Sequence, residues 1–149
     1  MKNSKLQVPS SKEIPMANFG GGVSATLELR EGPEEAADKP YDLEERTALF
    51  GELVVRFAKR ISRDPGNDRL INQLVGAGTS LGANYAEASE TVSRKDFKYA
   101  ISRCVKEAKE TRFFLRMVAA AEPQLADAAR NLYREARELH MIFASMYRK

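Results

Sequence analysis

Two residues of this 149-residue chain carry side chains suited to nucleophilic catalysis. Cys104 offers a thiol, and His140, the one histidine, offers a general base. Cys104 falls on the apolar side of a predicted helix, where a buried thiol is usually unreactive. No spacing in the sequence pairs it with His140, so we expect a protein that is not an enzyme.

Paired carboxylates at helical spacing make a di-iron centre the first metal site to consider. Glu87-x-x-Glu90 and Glu107-x-x-Glu110 have the spacing, but such a centre needs two Glu-x-x-His units and two further glutamates. The single histidine has an arginine three residues before it, and the single cysteine excludes a multi-thiolate zinc site. We expect no metal and no cofactor.

The glycine-rich segment 75–82 (VGAGTSLG) bears some likeness to a phosphate-binding loop. Such a loop needs a preceding strand and a Gly-Lys-Ser/Thr ending, and both are lacking here. Gly76, Gly78 and Gly82 each cost about 1 kcal/mol of helix propensity. Close packing of this helix against another is the expected compensation.

Basic residues recur at helical spacing on the third and fourth predicted helices. A stripe of this kind attracts a phosphate backbone electrostatically. The alternative is a solvated face with local ion pairs, since Glu107, Glu110, Glu135 and Glu138 lie within reach. The candidate nucleic-acid-binding residues are Arg94, Lys95, Lys98, Arg103, Lys106, Lys109, Arg112 and Arg116 on the third helix, and Arg130, Arg134 and Arg137 on the fourth.

The composition is that of an ordinary globular protein, with 43% hydrophobic residues, 30% charged residues and a net charge of +3. No apolar run approaches the roughly 20 residues of a membrane helix. The N-terminus lacks the apolar core of a signal peptide. We therefore expect a cytoplasmic protein that makes no membrane contact.

The chain divides into two parts near residue 40. Residues 1–40 hold four of the six prolines and four of the nine glycines and carry a net charge of −1, whereas 41–149 carry +4. The first part is predicted to be a mostly disordered arm, because it buries too little apolar surface to offset its ordering entropy. An apolar–polar alternation at 23–30 (VSATLELR) instead favours a short strand, and both alternatives stay open.

From residue 41 onward, apolar residues recur every three or four positions in four segments. Turn and capping signals separate them: an Asp-Pro-Gly-Asn cluster begins at Asp64, Ser93 and Asp96 have the spacing of a capping box, and Pro123 restarts the chain. Four such seams with short connections predict an all-α fold, an antiparallel up-down four-helix bundle over 41–149.

Several short motifs in this part resemble a known family. They are 41–47 (YDLEERT), 80–88 (SLGANYAEA), 93–97 (SRKDF), 106–111 (KEAKET) and 113–115 (FFL). In order and spacing they resemble the four-helix bundle proteins encoded in 23S rRNA intervening sequences, the S23 ribosomal protein family, with which the accessory variability determinant of diversity-generating retroelements is grouped. One departure is Phe114, where relatives often carry tryptophan.

The resemblance implies a homopentamer with a positively charged central channel, and no catalytic residues. It also implies binding to RNA or DNA and, for the retroelement relatives, to a reverse transcriptase. The polar positions matched here are predicted to form a structural network between the second and third helices, with Arg46 or Lys106 as its cationic partner. They are Asn84, Glu87, Ser93, Asp96, Glu107 and Glu110.

Two hypotheses of function follow from the sequence. The first is a nucleic-acid-binding ring, in which five copies of the +4 bundle place about +20 on one assembly. The second is a protein-interaction scaffold, such as a reverse-transcriptase accessory subunit.

Overall fold

The computed structural model describes residues 42–149 and confirms the predicted four-helix bundle, with no strand among these residues. The predicted arm at 1–40, including the candidate strand at 23–30, lies outside the described residues. One turn of 3₁₀ helix, Pro123–Leu125, precedes the last helix. The four helices are α1 (Leu43–Ala58), α2 (Pro65–Ser89), α3 (Arg94–Ala121) and α4 (Ala126–Arg148).

Consecutive helices pack side by side in antiparallel order, and α1 also contacts α4. Asn67, in the first turn of α2, donates to the Glu122 carboxylate beyond the end of α3 at 2.7 Å. Arg94, at the start of α3, donates to the backbone carbonyl of Lys149 beyond the end of α4 at 2.9 Å. The α2–α3 and α3–α4 pairs form the most extensive contacts, because α1 is the shortest of the four helices.

Side-chain caps begin three of the helices where the sequence predicts a start. The carboxylates of Asp42 and Asp64 accept hydrogen bonds from backbone amides in the first turns of α1 and α2. Ser93 accepts from the amide of Asp96 at 3.0 Å, and its hydroxyl donates to the Asp96 carboxylate at 2.6 Å. The predicted capping interaction at the start of α3 is confirmed.

The core consists of the apolar residues that the three-to-four spacing predicts. Phe50, Leu81, Ile101, Leu139 and Phe143 are completely buried, with at least one from each helix. Tyr85 packs against Phe143 with ring centroids 5.3 Å apart. The periodicity therefore identifies the inward side of every helix.

Two of the three glycines in the 75–82 segment lie at a close α1–α2 contact. A Cβ atom at Gly78 would lie 2.8 Å from Val54 Cγ1, and one at Gly82 would lie 3.3 Å from the Thr47 carbonyl oxygen. At Gly76 nothing lies within 4 Å of that position. Close packing is thus confirmed for Gly78 and Gly82, and the expectation was wrong for Gly76, which faces open space.

Candidate nucleic-acid interface

Positive charge is concentrated on α3 and α4. These two helices contain 12 basic and six acidic residues, whereas the rest of the described chain contains seven basic and nine acidic residues. Half of the bundle is therefore net positive and the other half is net negative. An anionic ligand is attracted to the first half.

The basic stripes of α3 and α4 border the same seam. At 100° per residue, Lys98, Lys109 and Arg116 lie within about 20° of one another, and the acidic residues of α3 lie roughly 100° or more away. Arg130 and Arg137 lie about 20° apart on α4. We call the surface along this seam the α3–α4 face.

Arg112 holds the two helices together at the centre of this face. Its guanidinium donates to the Tyr133 hydroxyl at 3.0 Å and lies 3.0 Å from His140 Nδ1, both on α4. It also lies 5.1 Å from the centroid of the Tyr133 ring. Its Nε atom is buried and makes no hydrogen bond. Arg112, a predicted phosphate ligand, therefore lies at the helix seam with contacts to two residues of α4.

Burial lowers the pKa of His140, and the positive charges of Arg112 and Lys109 lower it further. A neutral imidazole is consistent with the 3.0 Å approach of the Arg112 guanidinium, to which Nδ1 offers a lone pair. His140 is therefore an internal acceptor on this face.

Five of the predicted binding residues already have contacts within the described chain. Lys106 lies 3.7 Å from Glu110, Arg130 lies 2.7 Å from Asp127, and Arg103 lies 3.5 Å from Glu87. The ammonium of Lys98 lies 5.6 Å from the centroid of the Tyr147 ring. The fifth is Arg94, at the Lys149 carbonyl. Such exposed contacts are weak, so these cations remain able to exchange a partner for a phosphate.

The other five predicted residues form no hydrogen bond or ion pair with any part of 42–149. A cation without a carboxylate partner meets a phosphate without first losing an interaction, so these residues form the strongest part of the candidate site. They are Lys95, Lys109, Arg116, Arg134 and Arg137.

The predicted polar network between α2 and α3 is wrong as a single cluster. Glu87 reaches Arg103 across the two helices, whereas Lys106 pairs with Glu110 within α3. Within 42–149, Ser93 and Asp96 bond to each other as the cap of α3. Asn84 is buried with its Nδ2 unpartnered. The pKa of Glu107 is raised, first by desolvation and then by Glu110.

Arg46, predicted as a partner of that network, instead joins α1 to α4. Its guanidinium meets Glu135 at 2.6 and 2.9 Å in a bidentate arrangement and reaches Glu138 at 2.6 Å. Glu135 is buried, so the pair spans the packed contact between the two helices. The available sequence signal is the pair Glu135 and Glu138 at three-residue spacing on α4, for which local ion pairs are the alternative that the sequence offers.

Exposed aromatic residues on the same two helices are the feature that the sequence-based reasoning missed. Of the five large hydrophobic side chains most exposed in the described chain, four lie on α3 and α4: the aromatic residues Tyr99, Phe113 and Tyr147, and Met141. The sequence signal for their exposure is that they fall outside the three-to-four spacing of the apolar residues. Exposed aromatic and basic side chains therefore occur on the same two helices.

Other kinds of site have less support among residues 42–149. The thiol of Cys104 is completely buried and lies 3.7 Å from the Leu81 carbonyl oxygen, and burial raises its pKa to about 12. Within that range, no three His, Cys, Asp or Glu side chains are grouped to hold a metal ion. Nor does any of the four helices have the length and apolarity to cross a membrane.

A groove of about 630 Å³ lies on the other side of the bundle, between α1 and α2. Small residues, including Ala48, Gly82 and Ala83, line it, and charges of both signs border it. It does not overlap the α3–α4 face.

Comparison with solved structures supports the fold. One similar structure is that of a protein of unknown function from the S23 ribosomal protein family of Bacteroides thetaiotaomicron. The TM-score is 0.66 at 23% sequence identity, and the match covers 72% of this chain and all of that one. No protein-family model and no curated protein sequence matches the chain. The structural likeness establishes a shared fold.

Proposed function

We propose that this chain is a non-enzymatic nucleic-acid-binding protein, with RNA as its ligand and the α3–α4 face as its binding surface. The observation that carries the proposal is the charge separation within the bundle: 12 basic against six acidic residues on α3 and α4, and seven against nine elsewhere in the described chain. Association is then mainly electrostatic and independent of base sequence.

The arrangement of the acidic side chains supports the same proposal. On α4 Glu135 and Glu138 lie toward α1, where both meet Arg46, and the acidic residues of α3 lie roughly 100° or more from its basic stripe. Asp127 pairs with Arg130 at the start of α4, so cations outnumber carboxylates along the seam between the two stripes. A phosphate backbone following that seam meets cations from both helices.

The family resemblance adds the larger context of the proposal. A member of the S23 group would act as a homopentamer in the bacterial cytoplasm, with the basic faces of its subunits gathered around a channel. Five such faces produce a stronger field than one. The similar solved structure belongs to a protein from that family whose function is unknown, so it supports the fold on which this context depends.

Salt dependence and charge reversal test the proposal together. With a fluorescently labelled structured RNA, we expect the affinity to fall by roughly two orders of magnitude between 50 and 200 mM salt, as about five neutralised phosphates require. Replacing Lys109, Arg134 and Arg137 with Glu should lower the affinity at least tenfold. An affinity that does not change with salt contradicts the proposal.

A matched control is available on the other half of the bundle. Lys59, Arg60 and Arg69 are exposed, lie outside α3 and α4, and change the net charge equally when replaced with Glu. We expect this control to retain most of the affinity because it leaves the α3–α4 face intact. Equal losses in the two triple variants would show that net charge, and not this face, governs binding.

The second candidate function is a protein-interaction scaffold, specifically the accessory subunit of a retroelement reverse transcriptase. The groove between α1 and α2 favours it, since two acidic residues, Glu44 and Glu52, and two basic residues, Arg56 and Lys59, line it. Charges of both signs around small side chains suit a polypeptide better than a phosphate backbone.

The groove is tested with the variant Ala83→Arg, which obstructs it. If the scaffold function is correct, this variant loses binding to a reverse transcriptase encoded beside the gene and keeps its affinity for RNA. The triple Glu variant of the α3–α4 face should show the opposite pattern. A gene without a neighbouring reverse transcriptase would contradict the accessory role.

A further inference from the structure

Two aromatic residues lie on the outward side of α3, among its basic residues. Tyr99 is 66% exposed and Phe113 is 52% exposed. Aromatic side chains of this size usually contribute to a core, and each loses hydrophobic stabilisation by remaining in water. A ligand that covers an aromatic ring recovers this free energy.

The spacing of the two rings places them in line. Positions 99, 106 and 113 are seven residues apart and therefore recur on one side of the helix. The distance from Tyr99 to Phe113 along the axis is about 21 Å at 1.5 Å per residue. Lys106 lies midway, and Lys109 and Arg116 lie on the flank that faces the α4 stripe. Rings and cations thus alternate along one surface.

Neighbouring side chains hold both rings in place. Phe113 meets Phe114 edge to face, with ring centroids 5.2 Å apart and an angle of 84° between the rings. The Arg103 guanidinium lies 5.9 Å from the centroid of the Tyr99 ring and is itself paired with Glu87. A ring that is restrained before binding loses less conformational entropy when a ligand covers it.

This combination discriminates between forms of nucleic acid. Every base of a single strand has a free π-face that stacks on an aromatic side chain, whereas the bases of a duplex are already stacked on one another. Cations alone bind both forms. The 21 Å between the rings corresponds to about six nucleotides at 3.4 Å per nucleotide.

We propose that the α3–α4 face and the adjoining outward side of α3 together select single-stranded nucleic acid, with bases stacked on Tyr99 and Phe113 and the backbone held by Lys106, Lys109 and Arg116. The inference rests on the proposed function and adds the class of ligand. Stacking of this kind contributes about fivefold to a hundredfold in affinity per base.

The test uses the full chain, a labelled 20-nucleotide oligouridine and an RNA duplex of 20 base pairs, at one salt concentration. We expect the wild-type protein to bind the single strand at least tenfold more tightly than the duplex. The double variant Tyr99→Leu, Phe113→Leu keeps the apolar bulk and removes the π-faces. Its affinity for the single strand should fall at least tenfold, and its affinity for the duplex should change little. The dependence of the affinity on salt concentration should stay the same.

Met141→Ala is the control, because Met141 is 59% exposed on α4 but has no ring. Its affinity for the single strand should stay within twofold of the wild type. A base analogue whose fluorescence is quenched by stacking, placed within the oligonucleotide, should be quenched by the wild-type protein and not by the double variant.

The possible failures are distinguishable. If no RNA binds in a salt-dependent way, the proposed function itself is wrong. If both RNAs bind equally and the double variant matches the wild type, binding is electrostatic and the stacking proposal is overturned. A double variant that changes the mass measured by light scattering, with the ratio of the two affinities unchanged, would assign the aromatic residues to a subunit contact and also overturn it.

Discussion

Arg112 and Arg46 show how a charged residue acquires its role from the helix it faces. Both lie on basic or mixed-charge segments that periodicity assigns to a surface, yet each joins two helices in the structure. Arg112 binds Tyr133 and His140, and Arg46 binds Glu135. Removing either arginine would leave a buried or half-buried partner without its hydrogen bond, which is costly. Their primary contribution is therefore to the register of the bundle.

The stability of the protein should depend on the protonation of His140. Its pKa is lowered from the ordinary 6.5 by burial, then by Arg112 and Lys109, so the unfolded chain takes up the proton more readily than the folded one. The contribution of neutral His140 is complete above pH 6.5 and is lost as the pH falls below that value. Urea unfolding at pH 7.5 and 5.5 should therefore show a loss of stability on acidification.

The variant His140→Asn isolates this effect, because His140 is the one histidine of the chain and the Asn amide oxygen retains an acceptor for Arg112. The pKa of Glu107 is raised, so acidification stabilises the folded protein through this residue, opposite to the effect of His140. Glu107 is present in both proteins, so its effect cancels in the comparison. The variant should lose less stability than the wild type between the two pH values. Equal losses would contradict the role assigned to His140.

At the scale of the helix, spacing predicts the inward side and capping chemistry predicts the start. Leu81, Ile101 and Leu139 are buried where their three-to-four spacing places them, and Ser93 caps α3 as its spacing from Asp96 indicates. The identity of the neighbouring helix is not contained in that spacing. The partner predicted for Arg46 was therefore wrong. For the same reason the sequence did not distinguish Arg112, which contacts α4, from the exposed basic residues of the same stripe.

The exposed aromatic residues were missed for a related reason. Tyr99 and Phe113 differ from core residues only in lying off the apolar seam, and an isolated exposed aromatic is common on protein surfaces. Helical spacing alone places them in line with Lys106, but it does not show whether another helix covers them. The packed bundle shows that both rings stay exposed beside the basic residues of α3.

Two glycines of α2 should respond in opposite ways to the same substitution. Gly78→Ala places a Cβ atom 2.8 Å from Val54 Cγ1, and Val54 is completely buried, so we expect a destabilisation of about 1–3 kcal/mol. Gly76→Ala meets nothing within 4 Å and should stabilise the helix by up to about 1 kcal/mol. Chemical denaturation of the two variants measures the difference. A similar gain at both positions would show that α1 and α2 are not in close contact at Val54.

At the scale of the whole molecule, the net charge conceals its distribution. A total of +3 over 149 residues is small, but α3 and α4 hold 12 basic and six acidic residues. The remaining described residues are net negative, so the molecule has a basic half and an acidic half. Such a molecule orients itself toward a polyanion before contact, and the association rate should fall as salt screens the field.

The assembly state is the prediction on which the channel depends. As a homopentamer, the full chain should show a mass of about 83 kDa by light scattering, five times 16.6 kDa. In the pentamer the basic faces of five subunits are turned toward one axis, so the +4 charge of each bundle repels the others and opposes assembly. Salt screens this repulsion, and at 0.1 M salt charges more than about 10 Å apart are largely screened from one another. We therefore expect the pentamer to dissociate on dilution at a higher protein concentration in 50 mM salt than in 300 mM salt. A 16.6 kDa species at micromolar concentration in both would remove the channel and leave the α3–α4 face of a single bundle as the whole binding surface.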